Sequence, residues 1–223
     1  MIIGGGGGIG ARKFVMDDPA AEVDLVEIDP RVVELSFAYF HLEPGSRLRV
    51  HVADGRDFTR RTTDKYDLVV LDAFTIGGQV PFHLTTREFM QEIEHVLTPG
   101  GVLLANINGT MRGARSRILR SEYKTTGTVF DHVYLFPHLN DTERQQGGQI
   151  DPDHRRSIIL VAVNGNALTK EAIANAARQL VLAGVVRTPT FLEDSSQLFT
   201  GQLPLEDVRV LTDDYAPVDT MVF

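Results

Sequence analysis

A doubly wound α/β fold with a mainly parallel seven-stranded sheet is predicted by three features of the chain. Short apolar runs alternate with segments of helical spacing, a glycine-rich turn follows the first run, and an acidic residue stands at the end of each of the next three. The runs read as strands are Ile2–Ile3, Val23–Ile28, Leu48–Val52, Leu68–Leu71, Val102–Ile107, Val133–Phe136 and Ile158–Val163. Helical spacing begins at Arg12, Pro30, Arg56, Thr85, Met111 and Lys170. In 30–40, Val32, Val33, Leu35, Ala38 and Phe40 can cover a sheet, and Pro30 suits a first helical turn.

The last two strands are joined by a polar loop, 139–156, without a clear helix, which predicts an antiparallel pair at one sheet edge. Five parallel strands plus such a pair is the Rossmann-like arrangement of methyltransferases rather than of dehydrogenases. Residues 1–187 are expected to form one nucleoside-binding domain, and the irregular tail 188–223 to wrap it. Met1-Ile2-Ile3 runs straight into glycine, so the native chain is expected to extend further towards the N-terminus.

Composition narrows the function. With 22 basic and 30 acidic side chains the formal net charge is -8, which disfavours a broad nucleic-acid footprint. The absence of cysteine excludes disulfides and thiolate chemistry. No apolar run approaches the roughly 20 residues that cross a bilayer, so no membrane partner is expected. The seven histidines show no paired ligand spacing, so no metal is expected. Arg112, Arg115, Arg117 and Arg120 read as a solvated helix surface.

The residues that carry chemistry follow the strands. Gly4, Gly5, Gly6, Gly7 and Gly8 let the backbone turn sharply and let a ligand approach the main chain; Gly5-x-Gly7-x-x-Gly10 also fits the dinucleotide fingerprint. Glu27 ends the second strand, where a carboxylate can accept both ribose hydroxyls of a nucleoside, while Asp29 before Pro30 reads as a helix N-cap. Asp54 follows the third strand and can accept from the exocyclic amine of adenine, with Gly55 leaving room for the ring. Asp72 closes the fourth strand beside the topological switch, and 75–81, with Gly77-Gly78, reads as a lid.

The succession Gly4–Gly8, Val26-Glu27-Ile28-Asp29-Pro30, Asp54-Gly55-Arg56, 66–72 and Leu97-Thr98-Pro99-Gly100-Gly101 resembles the spermidine synthase family. Pro81-Phe82-His83-Leu84-Thr85 and the tail 211–217 are similar to bacterial spermidine synthase-like proteins. The resemblance implies aminopropyl transfer from decarboxylated S-adenosylmethionine to a small amine, a homodimer, a cytoplasmic location, and a small N-terminal β-domain absent from this chain. It implies that Glu27 holds ribose, that Asp54 and Gly55 hold adenine, that Gly4, Gly5, Gly6 and Gly7 pack under the cofactor, and that Asp72 begins the lid motif.

Two positions depart from the family pattern. Gly7 stands where the family has an aspartate for the aminopropyl amine. Thr75 stands where it has the aspartate that accepts the proton of the attacking amine, and a hydroxyl is no base at neutral pH without help. Asp72 and Thr75 are therefore the candidate catalytic pair. Full S-adenosylmethionine with methyl transfer, and a non-catalytic nucleoside-binding protein, are the alternatives.

Overall fold

The computed structural model describes residues 1–218. Its strands are β1 (Ile2–Ile3), β2 (Val23–Glu27), β3 (Leu48–Val52), β4 (Tyr66–Leu71), β5 (Leu97–Gly109), β6 (His132–Pro137) and β7 (Arg156–Val163). They form one sheet in the order β3-β2-β1-β4-β5-β7-β6, with β7 antiparallel to both of its neighbours. The order reverses beside β1, so the carboxyl ends of β1 and β4 flank the crevice where α/β sheets bind ligands. This is the α/β Rossmann-like fold expected, with the edge pair built by insertion of β7 between β5 and β6.

The helices are α1 (Ile9–Asp17), α2 (Pro30–Tyr39), α3 (Gly55–Arg61), α4 (Arg87–Val96), α5 (Arg117–Thr126), α6 (Asp141–Gln145), α7 (Lys170–Leu182) and α8 (Phe191–Ser196). Five begin on a side-chain cap: Asp29, Asp54, Thr86, Asn140 and Thr169 each accept from backbone N–H of the first turn. Leu103, Ala105 and Ile107 of β5 alternate with half-buried Leu104, Asn106 and Asn108. The buried set joins Phe89 and Ile93 of α4 and Leu119 of α5 in the main core, while Ile2, Ala11, Leu25 and Leu42 form a smaller cluster beside it.

Three expectations need correction. The helix expected from Met111 starts at Arg117, because Met111 and Arg112 donate backbone N–H groups to Pro152 O and only a short 3-10 turn, Ala114–Ser116, precedes it. The loop 139–156 contains α6, nucleated by a reciprocal capping box between Asn140 and Glu143. Arg120 is no surface residue: it is buried at 4% exposure and donates to Asp207 and to Pro204 O of the tail. The tail, irregular apart from α8, is further held by Lys124 Nζ on the carbonyls of Leu205 and Val208. Leu211 and Val218 pack on Ile118.

Candidate active site

The adjacent strands β3, β2, β1 and β4 deliver the sequence-predicted residues to one end of the sheet. After β1 the chain makes a left-handed turn, with φ of 74°, 135° and 48° at Gly4, Gly5 and Gly6. Gly4 N donates to Val26 O, and a Cβ on Gly4 would lie 2.6 Å from Asp72 O. Only glycine lets the turn lie against the end of β4 in that conformation. Gly6 is open, with no atom within 4 Å of the point where a Cβ would stand, and its carbonyl accepts from Ser36 Oγ at 3.0 Å. Gly7 is crowded instead: its Cβ would meet the Phe40 ring at 2.9 Å.

Glu27 and Asp54 stand at neighbouring strand ends, joined by Ala53 N donating to Glu27 O. Glu27 Oε1 accepts from Asp29 N at 3.0 Å, and Oε2 has no hydrogen bond among the described residues. Asp54 is more heavily engaged. Its Oδ1 accepts from Arg56 N and Asp57 N as the cap of α3, and its Oδ2 lies 2.9 Å from His83 Nε2. Burial opposes its charge, but the N–H of Asp57, His83 and the N–H of Arg56 outweigh it and hold the carboxyl below its usual range. Gly55 follows, packed so closely on Ile3 that a Cβ would overlap the isoleucine.

Asp72 is half-buried, and its N–H extends the β1–β4 ladder to Ile3 O. Its Oδ1 accepts from Asn106 Nδ2 at 2.9 Å, while Asn106 Oδ1 accepts from Ser157 Oγ. No hydrogen bond joins Thr75 to Asp72 among the described residues. Thr75 opens an exposed turn closed by Thr75 N to Gln79 O and Gly78 N to Thr75 O, and its hydroxyl has no hydrogen bond among the described residues. The expected lid 75–81 is anchored at its far end by buried Gln79 and Val80, and within its first half only 75–77 are exposed.

Several residues at this end escaped sequence reasoning. Ile28, Val52 and Phe82 are exposed large apolar side chains, Ile28 and Phe82 next in sequence to Glu27 and His83 and Val52 paired with Glu27 in the sheet. Asn106 lay in an apolar strand pattern, where a lone amide was the available signal. Arg56 joins both oxygens of Glu92, both of Asp213 and the carbonyl of His83 while 6% exposed. Asp213 is thereby held in an ion pair. Arg56 first, against the cost of burial, and then Thr86 hold its carboxyl below the usual range.

A cavity of about 730 Å³ opens at the opposite, amino-terminal ends of the strands. It is lined by Asp24, Arg49 and Tyr66, which bond one another. Burial would raise Asp24, yet Arg49, His51 and Tyr66 draw its carboxyl down to about 2. These groups satisfy one another, so the chemistry is assigned to the carboxyl ends. Among the described residues no cluster of three or more potential ligands could hold a metal, and no helix is long and apolar enough to cross a membrane.

Residues 1–136 match the spermine/spermidine synthase domain model. The polyamine aminopropyltransferase of Vibrio vulnificus is 31% identical over 227 residues, covering 99% of this chain and 69% of that protein. The probable polyamine aminopropyl transferase of Bifidobacterium longum is 26% identical over 235 residues, covering 99% of this chain and 48% of its own length. The chain thus spans between about half and two thirds of these relatives. A probable spermidine synthase from Corynebacterium glutamicum superposes with a TM-score of 0.64 at 24% identity, covering 91% of this chain and 74% of that one. Human methyltransferase-like protein 13 in complex with SAH superposes at 0.60 and 23%, covering 96% and 86%. The two superpositions speak to the fold alone; the domain match and the Vibrio relative carry the assignment. With glycine turn, Glu27, Asp54 and Asp72 on four adjacent strand ends of that fold, the chain belongs to the spermine/spermidine synthase family of transferases.

Proposed function

We propose that this chain binds decarboxylated S-adenosylmethionine across the carboxyl ends of β1–β4 and transfers its aminopropyl group to a small amine. The observation that carries the reading is the contact of the glycine turn with the end of β4, which sets an open backbone cradle at Gly6 between Glu27 and Asp72. The unspent Oε2 of Glu27 suits ribose, and Asp54 with Ile28, Val52 and Phe82 suits adenine. Oxygen Oδ2 of Asp54 can accept from the adenine amine beside His83, since each carboxylate oxygen has two lone pairs.

The co-substrate supplies an electrophilic carbon next to a sulfonium. The acceptor nitrogen bonds to that carbon and the carbon–sulfur bond breaks, its electron pair going to sulfur, so that methylthioadenosine leaves as a neutral thioether. The amine proton passes to Asp72, whose orientation is held by Asn106. The chain's share is alignment of the two reactants and removal of that proton. The proposal extends to residues 1–187 as the nucleoside-binding unit with the tail 188–223 packed on it, an arrangement supported by the Arg120–Asp207 and Arg56–Asp213 pairs. It also extends to a cytoplasmic homodimer, for which sedimentation of the protein reads the oligomeric state.

Calorimetric titration with methylthioadenosine tests the site. Glu27→Ala should weaken binding at least about tenfold, as loss of a partner for the ribose hydroxyls costs on the order of 1–3 kcal/mol. Unchanged affinity in the variant would defeat the reading. Tighter binding of S-adenosylmethionine than of its decarboxylated form would redirect it to methyl transfer.

A further inference from the structure

A row of polar side chains leaves the site along β5 and β7. Asn106 and Asn108 share the half-buried face of β5, and Asn108 pairs in register with Ser157 of β7. Asn106 holds Asp72, whereas Asn108 Nδ2 donates to Gly78 O at 3.1 Å and so ties the lid turn to the same row. At the outer end stands Arg155. Its neighbour Arg156 turns inward to Glu143, but Arg155 stays exposed, with Nη2 3.4 Å from the point where a Cβ on Gly78 would lie.

The acidic groups around Arg155 are spent elsewhere. Asp153 pairs with Arg112, Glu143 with Arg156, and Asp151 Oδ1 accepts from Asp153 N. Arg155 itself has no hydrogen bond or ion pair among the described residues. Asn106 and Asn108 are two residues, about 7 Å, apart along β5, with the Asp72 carboxylate on the first and Gly78, against which Arg155 lies, on the second. The row thus offers a negative group to one end of a short ligand and a positive, bidentate donor to the other.

We propose that the acceptor is an amine that carries a carboxylate at the end away from its reacting nitrogen, with the amine at Asp72 and the carboxylate on Arg155. This deepens the proposed aminopropyl transfer and rests on it. The bond-making is unchanged: the amine nitrogen takes the carbon from sulfur and gives its proton to Asp72. A planar guanidinium matches a carboxylate through two parallel hydrogen bonds. A simple diamine would instead bring a second cation up to Arg155 with no carboxylate beside it.

The test uses the full chain loaded with methylthioadenosine and titrated with ornithine or putrescine, two diamines that differ by one carboxylate. Ornithine should bind about tenfold tighter. Arg155→Gln should erase that preference and Arg155→Lys should restore part of it, both with methylthioadenosine affinity unchanged. Putrescine binding as tightly as ornithine, an undiminished preference in Arg155→Gln, or failure of both diamines to bind the loaded protein would overturn the proposal. Failure of methylthioadenosine to bind would overturn the nucleoside reading, and this inference with it.

Discussion

The Phe40 ring occupies the space into which a side chain at Gly7 would grow, 2.9 Å from the point where its Cβ would lie. A side chain at this position is therefore coupled to the packing at the end of α2, and introducing an acid alone should not create a function. Gly7→Asp should lower stability by about 1–3 kcal/mol through overpacking. Combined with Phe40→Ala the cost should shrink, giving a favourable coupling of about 1 kcal/mol in a double-mutant cycle followed by thermal unfolding. Strict additivity would show that the ring yields without strain.

Asp54 serves two ends that substitution can separate. Asn keeps an oxygen for the α3 cap, whereas Ala removes it and should cost about 1 kcal/mol. Neither side chain offers the second acceptor oxygen now facing His83. Asp54→Asn should therefore unfold within about 0.5 kcal/mol of the parent yet bind methylthioadenosine about tenfold more weakly. If Asp54→Asn binds as the parent does, Asp54 is a cap and nothing more.

In the proposed reaction Thr75 leaves the proton of the acceptor amine to Asp72. Putrescine aminopropylation, followed by methylthioadenosine release, should be slow, and Thr75→Asp should raise it. A well-placed base contributes about 10²–10⁴-fold, so even poor alignment should register. Because Thr75 sits in an exposed turn, the fold should tolerate the change. Fast turnover by the parent would mean that Asp72 suffices.

Glu122 is a buried residue of α5 whose Oε1 has no hydrogen-bond partner among the described residues, and burial pushes its carboxyl up from an ordinary 4.5 to about 8. The folded chain keeps this proton while the unfolded chain releases it above about 4.5, so the folded state binds more protons in that window. Stability should fall as pH rises from about 4.5 to about 8, by up to a few kcal/mol, and change little from this group beyond. Glu122→Gln should flatten the slope and stabilise the protein at pH 8 in denaturant titrations. An equal slope in both proteins would place the pH response elsewhere.

Alternation of apolar runs with helical spacing, and Asp29 before Pro30, were enough to read the parallel strands, the edge pair and the α2 cap, because periodicity and capping are local properties. Short-range punctuation also located Glu27, Asp54 and Asp72 at strand ends. It could not say what else those side chains touch. The engagement of Asp54 by His83 spans 29 residues, the support of Asp72 by Asn106 spans 34, and the capture of Asp213 by Arg56 spans 157. Such contacts depend on strand order and helix packing. Only the folded chain could therefore reveal Phe40 filling the place beside Gly7, or bring Arg155 against Gly78.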